Sequence, residues 1–115
     1  MERKNLPHKD HRLKKKKQFS YIYKKGKRKS SKFLTLFYVE SKYNNYLIGY
    51  SINKAIGKAN VRNKLKRRLR EIVRTSGYAK NYFNYVLLTR SGIENLSYME
   101  LENEVKKVFE EKKNI

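Results

Sequence analysis

The chain has 115 residues, which at roughly 100 to 200 residues per domain is one domain with no room for a second core. It carries 30 Lys and Arg against 10 Asp and Glu, a net charge of +20, and an excess of that size self-repels unless a polyanion is near. Hydrophobic residues at 38% and aromatics at 13% suffice for a compact core and exclude full disorder, while the absence of cysteine excludes disulfides, thiolate metal sites and cysteine nucleophiles.

Residues 1–14 hold the only Pro, both His and no apolar periodicity. They are predicted to be a mobile basic arm ahead of a single domain over 15–113. No apolar stretch of about 7 to 15 residues follows, as a signal peptide would require, and no run approaches the roughly 20 residues that span a bilayer. The chain is therefore expected to be soluble, unprocessed and cytoplasmic.

From Lys15 to Lys25 the apolar residues Phe19, Ile22 and Tyr23 stand at i, i+3 and i+4. This predicts a short helix, closed by Gly26 as a left-handed cap. Lys27 to Lys32 reads as a basic loop. The run 33–39 (FLTLFYV) is β-branched and aromatic and predicts a strand; Asn44-Asn45 marks a turn, and 46–52 (YLIGYSI) is predicted to pair back on it as a hairpin.

After a loop over 53–59 comes NVRNKLKRRLREIVR (60–74), with Asn60 as expected N-cap. At about 100° per residue, Val61, Leu65, Leu69, Ile72 and Val73 share one side. Asn63, Arg67, Arg70 and Arg74 share the opposite side, with Arg62 and Lys66 along a flank. Gly77 is the expected terminator. A strand over 82–89 (YFNYVLLT) follows, then a turn into a last helix. Ser97 and Glu100 there read as a capping box, and Leu96 with Leu101 as a hydrophobic staple. Leu101, Val105, Val108 and Phe109 form its apolar stripe, with Glu102, Glu104 and Lys106 expected to face water. The order is α-β-β-α-β-α, an α+β fold: a small two-layer sandwich of three to four strands containing a βαβ crossover.

The distribution of charge narrows the function. The only Asp is Asp10, and six of nine Glu fall in the last 22 residues, so residues 1–93 carry +22 and the remainder −2. A protein nuclease using Mg²⁺ gathers two or more carboxylates around the metal, yet the middle of the chain offers only Glu40 and Glu71. His8 and His11 lie in the charged arm and read as solvated. No phosphate-binding glycine loop, paired zinc-ligand set or nucleophile elbow occurs, and no metal site is assigned to the protein. The composition describes a polyanion binder that does not itself supply chemistry.

An AT-rich coding bias accounts for part of the 21 Lys, 11 Asn and 10 Tyr, but not for five of nine Arg falling between positions 62 and 74. A strip of guanidinium forks suits phosphates, and Asn63 beside it suits a sugar or base edge. From Lys54 to Arg74, nine basic residues face a lone Glu71, which favours nucleic acid over a merely solvated helix face. Charge alone leaves DNA or RNA open. Phe19, Tyr23 and Phe37 are either core residues or a platform on which single-stranded bases stack.

These residues carry a resemblance. IGKANVRNKLKRRLRE (56–71), preceded by GYSINKA and followed by a strand ending in TR, resembles the RNR-type signature of the bacterial ribonuclease P protein component. RLKKKKQFSYIYKKG (12–26) resembles that family's opening helix and LSYMELENEVKKVF (96–109) its closing one. The resemblance implies a subunit that joins a large catalytic RNA, one protein per RNA, and assists removal of the 5′ leader from precursor tRNA. The RNA with Mg²⁺ does the chemistry, and neither a membrane nor a small-molecule substrate is involved. It further implies RNA-subunit contacts from Arg62, Asn63, Lys64, Lys66, Arg67 and Arg70, to which the same helix face adds Arg74. The leader cleft falls on Phe19, Tyr23, Phe37, Ser51 and Lys54, with Arg90 as an additional basic contact. Lys64 stands where the family usually has the second Arg of its motif, keeping charge without the bidentate fork. Arg68 is an extra base near the apolar edge, its stem expected to pack there. The implied βαβ crossover is left-handed, against the common hand.

Overall fold

The computed structural model describes residues 10–110. Its elements are α1 (Lys16–Lys25), β1 (Lys27–Ser30), β2 (Leu34–Glu40), β3 (Tyr46–Ser51), α2 (Ala59–Ser76), β4 (Phe83–Thr89) and α3 (Tyr98–Phe109), with 3-10 turns at Lys54–Ile56 and Ile93–Asn95. The α+β class holds, with four strands in one sheet of order β1-β2-β4-β3.

That order corrects the expected hairpin between 33–39 and 46–52. β4 inserts between them, antiparallel to β2 and parallel to β3. The cause is its burial on both faces: Val86 and Leu87 point to opposite sides and both are fully buried, which belongs at the centre of a sheet. Asn44 and Asn45 meet the start of β4 instead of closing a hairpin. Asn81 Nδ2 donates to Asn44 Oδ1 at 3.0 Å, and Tyr82 N donates to Asn45 O at 3.0 Å. The expected basic loop is corrected too, since Lys27–Ser30 form β1, paired antiparallel with β2 from Lys27 opposite Tyr38 to Ser30 opposite Thr35. Charged side chains are tolerated there because β1 is an edge strand.

One sheet face holds the larger core. Leu34, Leu36, Ile48, Tyr85 and Leu87 meet Leu65, Leu69, Ile72 and Val73 of α2 and Leu101, Val105 and Val108 of α3. The opposite face is partly covered by α1, where Ile22 and Leu13 bury Val86 among Phe19, Phe37, Val39 and Leu47. Val61, expected in the core stripe of α2, is 37% exposed, one turn before the helix meets the sheet.

The helix ends show which local signals survive. Ser97 caps α3 as expected: Glu100 N donates to Ser97 Oγ at 3.1 Å and Ser97 N donates to Glu100 Oε1 at 2.8 Å. Gly77 ends α2 in the left-handed conformation, φ 74°. Gly26, by contrast, is extended at φ −78°, and its glycine is required by space: a Cβ would lie 2.6 Å from Ile22 O and 2.8 Å from Tyr38 O. Asn60 is not the N-cap of α2, which starts at Ala59 after Lys58; its Oδ1 accepts from Val61 N inside the first turn.

The expected mobile arm is corrected at its end. Ile48 N donates to His11 O at 2.7 Å, Leu13 N donates to Ile48 O at 3.1 Å, and Leu13 is buried, so residues 11–13 lie along the free edge of β3. Residues 1–9 of that arm lie outside the described residues.

Glu104, expected to face water, is 7% exposed. Its position three residues after Leu101 and four before Val108 puts it inside the apolar stripe of α3, where Ser31 Oγ donates to Oε1 at 2.6 Å and Lys107 Nζ donates to Oε2 at 3.3 Å. Burial pushes its carboxyl pKa up, but the hydrogen bonds from Ser31 and Lys107 outweigh it and hold the group below the usual value. A carboxylate depressed in the folded state contributes stability that is present above its unfolded pKa and lost as pH falls through its folded one. Glu104→Gln is therefore expected to lower stability at pH 7 by about 1–3 kcal/mol. The gap between variant and parent should close in urea melts as pH drops below about 4; curves that stay parallel over that range would show that Glu104 is not held ionised.

Candidate nucleic-acid interface

The burial of Leu65, Leu69, Ile72 and Val73 fixes the rotation of α2. Asn63, Lys64, Arg67, Arg70 and Arg74 are thereby exposed, with Arg62 and Lys66 half-covered on the flank. Two of these guanidiniums are engaged. Arg62 Nε donates to Gly57 O at 3.0 Å, tying the helix start to the preceding turn, and Arg74 Nη2 donates to both oxygens of Glu71 at 2.8 Å. The side chains of Lys64, Lys66, Arg67 and Arg70 make no hydrogen bond or ion pair among the described residues. Arg68 is half-covered and lies in a depression with Val61, Leu65 and Leu96, as expected of its stem.

The opposite sheet face carries the aromatic residues. Cross-strand register sets Arg28, Phe37, Val86 and Gly49 in one row and Ser30, Thr35, Leu88 and Ser51 in the next. α1 covers the Val86–Gly49 end of the first row and does not reach the second, the open row, where Ser30 is exposed, Leu88 and Ser51 are half-buried and Thr35 is buried. Phe19 lies directly on Gly49, where any Cβ would come within 2.4 Å of its ring. Tyr23 meets Phe37 edge-on at 4.9 Å and is 40% exposed. The three aromatics thus divide the two readings left open by sequence. Phe19 is a packed wall, Tyr23 an accessible ring, and Phe37 the floor between them.

Ser51 sits on this same face, two residues beyond Gly49, and Lys54 is exposed in the turn that carries the chain towards α2. Arg90 follows β4, and its Nη2 donates to Thr35 Oγ1 at 3.1 Å, which places the guanidinium at the open row. Arg28 is a basic residue of this face that the sequence did not single out. Only its pairing opposite Phe37 shows which members of the polar run Lys27–Ser30 share the groove.

The arrangement offers phosphates a row of uncommitted cations on one side of the sheet and offers unpaired bases an aromatic groove with a basic rim on the other. Among the described residues no group of three or more His, Cys, Asp or Glu side chains is placed to hold a metal ion. None of the described helices is long and apolar enough to cross a membrane.

The Ribonuclease P family model matches residues 7–113. The ribonuclease P protein component of Syntrophomonas wolfei is 39% identical over 94 residues, covering 81% of this chain and 79% of that one. Its counterpart in Streptococcus agalactiae is 32% identical over 94 residues, covering 82% and 86%. Among solved structures, the Staphylococcus aureus RNase P protein superposes with a TM-score of 0.81 at 26% identity, over 87% of this chain and 93% of that one. The Thermotoga maritima RNase P protein gives 0.75 at 25% identity, over 84% and 92%. With the family model, the sequence relatives and the fold in agreement, the chain belongs to the bacterial ribonuclease P protein family.

Proposed function

We propose that the chain is the protein subunit of a ribonuclease P holoenzyme, binding the catalytic RNA through α2 and the single-stranded 5′ leader of precursor tRNA through the groove beside α1. The observation that carries this reading is the separation of two RNA-suited surfaces by the sheet. The uncommitted cations Lys64, Lys66, Arg67 and Arg70 lie on the helix packed against one face, and Tyr23 and Phe37 line the other. A duplex-binding or ribosomal protein has use for the first surface and none for the second.

The protein's part is binding and orientation. Hydrolysis of the phosphodiester is assigned to the RNA with its Mg²⁺, in keeping with a chain whose described residues gather no carboxylate cluster. The assembly is one protein per RNA, working in the cytoplasm where precursor tRNA is made.

Reconstitution tests this. Adding the chain to a bacterial ribonuclease P RNA at Mg²⁺ too low for the RNA alone is expected to restore leader cleavage. No restoration would remove the subunit reading. Cleavage by the protein without any RNA subunit would overturn the assignment of the chemistry.

A further inference from the structure

A cleft of about 440 Å³ opens between the free edge of β3, the first described residues and α2, on the sheet face away from the Tyr23–Phe37 groove. Sites for molecules of nucleotide size occupy roughly 300–1,000 Å³. Its floor is flat and largely apolar. His11 stacks on Tyr46 with ring centroids 3.8 Å apart and planes 5° apart, and Ile48 and Tyr50 continue the surface. Its wall is α2, through Arg70 and Arg74.

The polar groups of the cleft are prepared and unspent. His11 Nδ1 lies 2.9 Å from Tyr46 O, and a carbonyl only accepts, so Nδ1 donates, while Nε2 makes no hydrogen bond among the described residues. The hydroxyls of Tyr46 and Tyr50 and the guanidinium of Arg70 make no hydrogen bond among the described residues. Burial pushes the pKa of both phenols up, so they remain donors. Rings that stack, hydroxyls that donate and a free guanidinium match the three parts of a nucleotide: base, sugar and phosphate.

We propose that this cleft receives one unstacked nucleotide of the RNA on which α2 docks, its base against the His11–Tyr46 stack, its phosphate at Arg70 and the Tyr50 hydroxyl donating to it. The inference rests on the RNA-subunit reading above. An RNA chain is favoured over a free nucleotide because Arg70 belongs to the same exposed row as Asn63 and Arg67, making the cleft continuous with the surface that faces the phosphate backbone.

His11→Ala removes the outer ring of the stack and Tyr50→Phe removes only a hydroxyl; thermal melts identify any loss of fold, and Tyr50→Phe carries the test if the first variant is destabilised. Each is expected to weaken assembly with ribonuclease P RNA by about 5- to 10-fold, the effect of one compromised base stack for His11→Ala and of one lost hydrogen bond for Tyr50→Phe. The dependence on salt should not change, since neither variant removes a cation that neutralises a phosphate. Acylation of RNA 2′-hydroxyls should reveal one nucleotide altered by the parent protein and restored by His11→Ala. Assembly of both variants at parental affinity, or a loss accompanied by a shallower salt dependence, would overturn the cleft assignment while leaving the subunit reading intact. If the parent protein itself fails to assemble with the RNA, the subunit reading fails and the cleft proposal falls with it.

Discussion

Replacing Arg67 and Arg70 with Ala is expected to weaken assembly with ribonuclease P RNA roughly 10- to 100-fold and to lower the slope of log affinity against log salt by about 1 to 2. Both side chains are exposed on α2 and unengaged among the described residues, so their removal costs contacts to phosphate and little else. The melting temperature should therefore hold. Arg67→Lys separates charge from shape: it should keep the salt slope and lose part of the affinity, because an ammonium neutralises a phosphate without the planar fork. An unaltered gel-shift titration for the double Ala variant would remove α2 from the RNA interface. Arg62 is a poorer probe, since its hydrogen bond to Gly57 O supports the start of the helix and its loss mixes folding with binding.

Tyr23→Ala is expected to weaken precursor tRNA binding about 5- to 100-fold, the range for one base stack, while leaving mature tRNA binding almost unchanged. The leader is the only part that differs between the two ligands, so equal losses for both would sink the cleft assignment. The choice of Tyr23 over Phe19 follows from packing. Phe19 fills the space above Gly49 beside Ile22 and Val86, and Phe19→Ala should also cost stability, about 2–4 kcal/mol for a half-buried ring. A Phe19→Ala, Tyr23→Ala pair consequently needs a melting curve beside every binding curve. Arg28→Ala, in the row of Phe37, and Arg90→Ala, in the row of Thr35, would then show whether the leader crosses the sheet between them.

What the sequence determined was the local structure and its polarity. The helix of 60–74 is legible because its apolar and basic residues recur with the period of one helix turn, and that period alone separates the core side from the side holding Asn63, Arg67, Arg70 and Arg74. The Ser97–Glu100 capping box and the Gly77 cap are legible for a related reason, since each is satisfied by backbone groups within a few residues. The shortage of carboxylates outside the C-terminal segment likewise needs no coordinates.

Tertiary structure decided everything that depends on which distant segments meet. A period of two assigns residues to sheet faces but does not name neighbours, so it could not place β4 between β2 and β3 or reveal β1, whose charged residues carry no apolar alternation. Arg28 enters the groove only through the pairing of β1 with β2, and Glu104 is buried under Ser31 and His11 stacks on Tyr46 only through contacts between residues 73 and 35 positions apart. Phe19, Tyr23 and Phe37 were alike as aromatic residues in the sequence. Gly49, which admits one ring and leaves another at the surface, is what made Phe19 a wall and Tyr23 a contact.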